Sequence, residues 1–113
     1  MYSIYAISMN TKRLEQIEIR IEKIKTELAG IGEMRPGSLT QQYKDREHKT
    51  GPYYQLSYTY EMRSRTKYIR KDLVSYIRQQ IKNYKHFKKL TDEWVALGIE
   101  HSTLTMELKR KAD

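Results

Sequence analysis

The spacing of apolar residues near the N-terminus indicates an amphipathic helix with a narrow apolar stripe. Six apolar residues recur at steps of three and four positions, with mostly charged and polar residues between them: Leu14, Ile17, Ile21, Ile24, Leu28 and Ile31. This is the a/d spacing of a coiled coil. Asn10 or Thr11 can cap the start of a helix, and Pro36 forbids its continuation. We therefore predict a helix over residues 11–30 and interpret residues 1–10 as a disordered extension.

Alternation of side chains in the middle of the chain predicts a small antiparallel sheet. Residues 39–44 alternate weakly and are followed by a polar stretch, 45–51, that we interpret as a mobile loop. Residues 52–60 give the clearest strand pattern, and residues 65–69 return as a strand after a turn at 61–64. One face of the clearest strand carries Tyr54, Leu56, Tyr58 and Tyr60. Such a small sheet needs a helix packed on one face.

The apolar spacing becomes helical again from Asp72 onward. A first stripe consists of Leu73, Ile77, Ile81 and Tyr84. A second stripe with heptad spacing consists of Phe87, Leu90, Trp94, Leu97, His101, Leu104 and Leu108. The steps between the two stripes break the heptad and rotate the apolar face. We favour one long helix over residues 72–110 with a local irregularity; two helices with a bend near Thr91 or Gly98 are the alternative.

These elements predict an α+β fold in a single domain that spans residues 1–113. An N-terminal helix is followed by a two- or three-stranded antiparallel sheet over residues 39–70 and by a long C-terminal helical segment with coiled-coil-like stripes. The two heptad stripes are expected to pair, either within the chain or between chains. Their narrowness favours pairing between chains, and thus a homodimer.

The positive charge of the chain is concentrated in one stretch. The net charge is +8, and the stretch from Glu61 to Leu90 holds ten basic and two acidic residues, so it accounts for the whole imbalance. Such a patch indicates an anionic partner. The absence of cysteine excludes disulfides and thiolate zinc sites. No apolar run reaches the length of about 18 residues that would span a membrane, and we expect a cytoplasmic protein.

The basic stretch is interpreted as a nucleic-acid-binding surface that contacts the phosphate backbone, with DNA favoured over RNA. On a helical wheel, cations spaced by three, four and seven residues share the face of the C-terminal helix opposite Leu73, Ile77 and Tyr84. Tyr53 is added because its strand face is otherwise polar, so its ring could stack on an unpaired base. The candidate residues are Arg63, Arg65, Lys67, Arg70, Lys71, Arg78, Lys82, Lys85, Lys89 and Tyr53.

Other interpretations of the same residues remain open. The basic face could be a solvated surface, or it could bind an acidic protein or an acidic lipid. The heptad stripes could instead bind a protein partner, which would make the chain a structural adaptor. No catalytic or metal-binding pattern is found, since His48, His86 and His101 are scattered and no glycine-rich phosphate loop occurs. We therefore predict no enzymatic activity, no cofactor and no small-molecule substrate; a nuclease or recombinase is a third class that no spacing supports.

Several short runs resemble a family of small uncharacterised prokaryotic proteins, whose members are often encoded near transposases. The runs are Pro36-Gly37-Ser38-Leu39, then Tyr43, then Gly51-Pro52-Tyr53-Tyr54-Gln55-Leu56-Ser57-Tyr58, then Thr66-Lys67-Tyr68-Ile69 and Asn83-Tyr84-Lys85. Many members carry a Cys-Gly-Lys-Pro-Gly-Cys-type segment just before the Gly-Pro-Tyr-Tyr strand. Here residues 45–50 contain no cysteine, so any metal site of that segment is missing. The resemblance implies a link to DNA mobility by association.

Overall fold

The computed structural model describes residues 4–112 and confirms the predicted α+β fold. Two long helices flank one three-stranded antiparallel sheet in the order of the chain. The elements are α1 (Ile4–Ala29), β1 (Ser38–Asp45), β2 (Thr50–Tyr60), β3 (Arg63–Ile69), a 3₁₀ turn (Lys71–Leu73) and α2 (Val74–Ala112).

The elements form two compact units, and the single domain stays a prediction. The helical unit combines the chain up to Gly30 with the chain from Phe87 onward, and the sheet unit is Ile31–His86. Helix α2 contributes its first part to the sheet unit and the rest to the helical unit. Each unit has buried apolar residues of its own, which is the physical reason for the division.

The helical unit shows that the two heptad stripes pair within one chain. Ile17, Ile24 and Leu90, which belong to the two stripes, are at most 2% exposed in the single chain. Two bidentate ion pairs join α1 to α2 with antiparallel polarity. The Nε of Arg13 lies 2.6 Å from a carboxylate oxygen of Glu100, and the Nε of Arg20 lies 2.5 Å from one of Glu93.

These ion pairs shift the protonation of all four groups toward the charged form. The hydrogen bond from Arg20 lowers the pKa of Glu93, and the bond from Arg13 lowers the pKa of Glu100. The same hydrogen bonds raise the pKa of the two arginines. All four side chains are partly open to solvent, so the pairs contribute more to the register of the helices than to stability.

The sheet unit packs one face of its sheet against the start of α2. The strand order is β1-β2-β3, with Leu39 opposite Leu56 and Tyr54 opposite Ile69. The core cluster consists of Leu56, Ile69, Val74, Ile77 and Ile81. Gly37 has a φ of +148° and lies so close to Leu56 that an added Cβ would meet its Cδ1 at 2.6 Å, so this approach requires glycine.

Several sequence-based boundaries are corrected. Helix α1 begins at Ile4 rather than at residue 11, so the predicted disordered extension is helical from Ile4 onward; its first three residues lie outside the described residues. The predicted loop 45–51 shrinks to residues 46–49, because β1 and β2 pair as far as Asp45 and Thr50. Helix α2 begins at Val74, so Lys71 precedes it and Val74 replaces Leu73 in the core. Helix α2 is continuous through Thr91 and Gly98, as favoured.

The β2–β3 hairpin turns through two residues that are both in the left-handed region. Glu61 has a φ of +50° and Met62 a φ of +64°, and Tyr60 pairs with Arg63 directly across the turn. Positive φ at both central residues defines a type I′ turn, which matches the twist of the strands and favours Asn-Gly. Residues with a Cβ pay about 1–2 kcal/mol each in this conformation.

Replacing the turn by Glu61→Asn/Met62→Gly is expected to raise the free energy of unfolding of the sheet unit by about 1 kcal/mol. Urea denaturation followed by circular dichroism would measure the change. Met62→Ala is the control, because it keeps a Cβ at the same positive φ and should give no gain. An equal gain from both variants would show that backbone strain at Met62 is not the cause.

Candidate nucleic-acid interface

The cations of the sheet unit are in large excess over its acids. Residues 31–86 hold twelve basic and five acidic side chains, a net charge of +7 for this unit. Among the described residues of the sheet unit, seven of the predicted binding cations are exposed and make no ion pair. We call these seven the basic surface: Arg63, Arg65, Lys67, Lys71, Arg78, Lys82 and Lys85.

The β3 members of the basic surface lie on the helix-packed side of the sheet. Arg65 is opposite Tyr58 and Lys67 is opposite Leu56, whose side chain is fully buried in the core. Because side chains alternate along a strand, Arg63 shares this side. Strand β3 is an edge strand, and its cations project beside the core instead of into it.

The α2 members of the basic surface form a row on one flank of the helix. At 3.6 residues per turn, Arg78, Lys82 and Lys85 lie on average roughly 75° around the helix axis from the α2 residues of the core cluster. The row therefore lies beside the buried face of α2, whereas the sequence pattern predicts it on the opposite side. This position follows from the use of Val74 in the core.

The other flank of the same helix is occupied by the segment before β1. Asn83 donates to the carbonyl of Glu33 over 2.8 Å, and Gln80 donates to the Glu33 carboxylate over 3.0 Å. Tyr76 also donates to that carboxylate, which raises the pKa of the Tyr76 hydroxyl. The backbone N–H of Arg35 donates to the carbonyl of Gln80. These bonds hold the Glu33 carboxylate on the flank of α2 that faces away from Arg78, Lys82 and Lys85.

Two predicted binding cations have acidic neighbours. Arg70 forms an exposed ion pair of 3.2 Å with Asp72. Lys89 belongs to the helical unit, where its charge adds to the effect of Arg20 in lowering the pKa of Glu93. Neither residue is therefore as available to an anion as the members of the basic surface.

Tyr53, the aromatic member of the predicted set, lies on the sheet face opposite Arg65 and Lys67. It is half-buried and stacks on Tyr68, with ring centroids 5.8 Å apart and ring planes 25° apart. Tyr68 was not predicted as a binding residue, although the alternation of β3 already put it on the face of Thr66, away from Ile69. One member of the basic surface reaches this tyrosine pair, because Lys71 lines a small cleft together with both rings.

The described residues offer no metal site and no membrane span. No group of three or more histidine, aspartate or glutamate side chains within residues 4–112 could hold a metal ion. Over the same residues, neither helix combines the length and the apolar character needed to cross a bilayer. The basic surface offers guanidinium and ammonium groups, which bind anions.

Comparison with known proteins places the chain in a family without assigning a function. No curated protein and no solved structure matches the chain. The family described as a domain of unknown function, DUF6788, matches residues 14–79. This match is more than half of the chain and includes the whole sheet, the tyrosine pair and the β3 cations, while Lys82 and Lys85 lie beyond it. The chain belongs to the DUF6788 family.

Proposed function

We propose that the sheet unit binds nucleic acid, DNA rather than RNA, through the phosphate backbone, in an accessory or regulatory role. The basic surface is the observation that carries this proposal. Its seven cations are exposed and make no ion pair with any side chain that the structure describes, and they belong to a unit with a net charge of +7.

The spacing of these cations favours a polyanion over a small anion. Arg78 and Lys82 are four residues apart, and Lys85 follows three residues later, so like charges are neighbours along one helix flank. Neighbouring like charges at this spacing repel each other by a few tenths of a kcal/mol per pair. A row of phosphates relieves the repulsion at several positions together and releases counterions from the nucleic acid.

The proposal predicts a steep dependence of affinity on salt. If about four to six of the cations contact phosphates, the affinity for duplex DNA should fall about 100- to 2000-fold between about 50 and about 200 mM salt. Fluorescence anisotropy with a labelled duplex measures this slope. An RNA duplex of the same sequence, titrated in parallel, tests the preference for DNA. Absence of binding at the lower salt concentration, or a slope near zero, would contradict the proposal.

A structural adaptor is the second candidate, and a specific apolar stripe favours it. The heptad stripes contribute buried residues within the chain, so a protein partner would have to use a different face. Val95, Ile99 and Met106 are 58–64% exposed and lie on the side of α2 opposite the buried Leu90. Association through this stripe should be insensitive to salt, in contrast to phosphate binding.

Four further expectations stay predictions beside the proposed function. They are a homodimer, a cytoplasmic location, a link to a mobile element and the absence of enzymatic activity. A homodimer would not rest on the pairing of the two heptad stripes, because the structure pairs them within one chain.

A further inference from the structure

We infer that the open face of the sheet binds unpaired nucleotides, so that the preferred ligand is a duplex that continues into a single strand. This inference rests on the proposed function and names its substrate class. It starts from the tyrosine pair, Tyr53 and Tyr68, on the face of the sheet away from α2.

The tyrosine pair has the geometry of a stacking site. Tyr68 is 64% exposed although it is a large aromatic side chain, and its ring is held nearly parallel to that of Tyr53. A ring that is fixed by a neighbour and open on its outer side can stack on a base without further ordering. Stacking on an aromatic side chain is tolerant of sequence, because every base has a π-face.

Polar and charged residues lie around the tyrosine pair. Gln55 lies directly opposite Tyr68 in the sheet. No hydrogen bond to the side-chain amide of Gln55 is found among the described residues. An amide offers both a donor and an acceptor to the edge of a stacked base. A shallow concavity beside the rings is lined by Tyr43, Lys44, Asp45, Arg46, Tyr53 and Tyr68.

The charges of this concavity suit a phosphate backbone. Lys44 and Arg46 are exposed and make no ion pair within the described residues. Asp45, the acidic residue in this lining, accepts a hydrogen bond from the backbone N–H of His48. Its other carboxylate oxygen lies 2.8 Å from the ring Nδ1 of His48. Charge complementarity therefore favours a nucleic-acid strand over an apolar protein surface as the occupant of this face.

Lys71 connects the open face with the basic surface. It is a member of the basic surface and also lines the cleft that contains Tyr53 and Tyr68. A duplex backbone on the basic surface could thus pass its unpaired extension to the tyrosine pair around one end of β2 and β3. A ligand with both parts would make salt-sensitive contacts on one face and salt-insensitive stacking on the other.

The test compares a blunt duplex with the same duplex carrying an oligothymidine overhang at the 5′ or the 3′ end. Wild-type protein should bind one overhang duplex about 10- to 100-fold more tightly than the blunt duplex, by the typical strength of base stacking. Tyr53→Leu/Tyr68→Leu should abolish this gain, so that the variant binds the blunt and the overhang duplex about equally. A 2-aminopurine placed in the overhang should lose its fluorescence change in the same variant.

Matched controls separate the loss of a ring from the loss of folding. Tyr68→Phe keeps the ring and should keep the gain. Tyr60→Leu removes another exposed tyrosine of β2, on the helix-packed side, and should also keep the gain. Circular dichroism of each variant checks that the sheet is intact.

The outcomes distinguish this inference from the proposed function. Equal affinity of wild-type protein for blunt and overhang duplexes, or a gain that survives Tyr53→Leu/Tyr68→Leu, overturns the inference while phosphate binding stands. Absence of binding to every duplex overturns both. A dimer of the free protein that Tyr53→Leu/Tyr68→Leu dissociates would show that a second copy covers this face, and would also overturn the inference.

Discussion

Arg78→Glu/Lys82→Glu/Lys85→Glu is expected to lower the affinity for duplex DNA about 100-fold or more at low salt. The three side chains are exposed, and among the described residues they have no ion-pair partner, so reversal removes attraction without exposing a buried group. The slope of log affinity against log salt should also become shallower, by roughly 0.9 for each phosphate contact that is lost. Anisotropy titrations at two or more salt concentrations measure both quantities.

A charge-matched control separates the position of the cations from the net charge. Lys12→Glu/Lys23→Glu/Lys109→Glu also changes three exposed lysines to glutamate, but in the helical unit. Each substitution changes the charge by −2, so both triple variants fall from +8 to +2. The control should bind within about threefold of wild type if the basic surface makes the contacts. Equal losses in both variants would mean that only the overall charge matters, and would contradict the proposed surface.

Leu56→Ala is expected to lower the free energy of unfolding by about 3–4 kcal/mol. Leu56 is fully buried on the central strand and lies in the core cluster of the sheet unit. Its removal leaves a cavity that Gly37 cannot fill, because a glycine has no side chain to move inward. Urea denaturation followed by circular dichroism measures the loss.

Ile99→Ala is the comparison for this loss of stability. Ile99 is 64% exposed, so removal of a side chain of the same size should change the free energy of unfolding by at most about 0.5 kcal/mol. A cost below about 1 kcal/mol for Leu56→Ala would show that the sheet does not depend on this core. Because Leu56 is buried, any loss of DNA binding in the Leu56→Ala variant should be proportional to the fraction of the variant that is unfolded.

The sequence predicts the elements whose apolar pattern is periodic, and it misses the boundaries that depend on contacts with neighbouring elements. The heptad spacing of α1 and the alternation of β2 both reappear as buried faces, through Ile17 and Ile24 in one case and Leu56 in the other. The early start of α1 was missed because Asn10 and Thr11 are good caps that here lie inside the helix. The end of β1 and the start of β2 were missed because polar residues become strand when the neighbouring strand extends with them.

The candidate site follows the same division. Local charge density is a property of the sequence, so the cations of β3 and α2 could be identified directly. The position of these cations relative to the core could not be predicted. The core uses Val74 in place of Leu73, so the row of cations on α2 lies closer to the buried face than the sequence pattern indicates. The Glu61-Met62 turn carries no Asn-Gly signal, yet it sets the register that pairs Tyr68 with Gln55. The partners of Arg70 and Lys89 likewise depend on folded contacts.

The residues of the two units are completed at different times during synthesis. The sheet unit is continuous from Ile31 to His86, so all of its residues are available as soon as that segment leaves the ribosome. The helical unit needs α1 and the distal part of α2, which are separated by the entire sheet unit. At about 5–20 residues per second, the apolar stripe of α1 waits roughly 4–16 s for the residues that cover it. During that interval the whole sheet unit has been synthesised, but the apolar stripe of α1 stays exposed until the distal part of α2 follows.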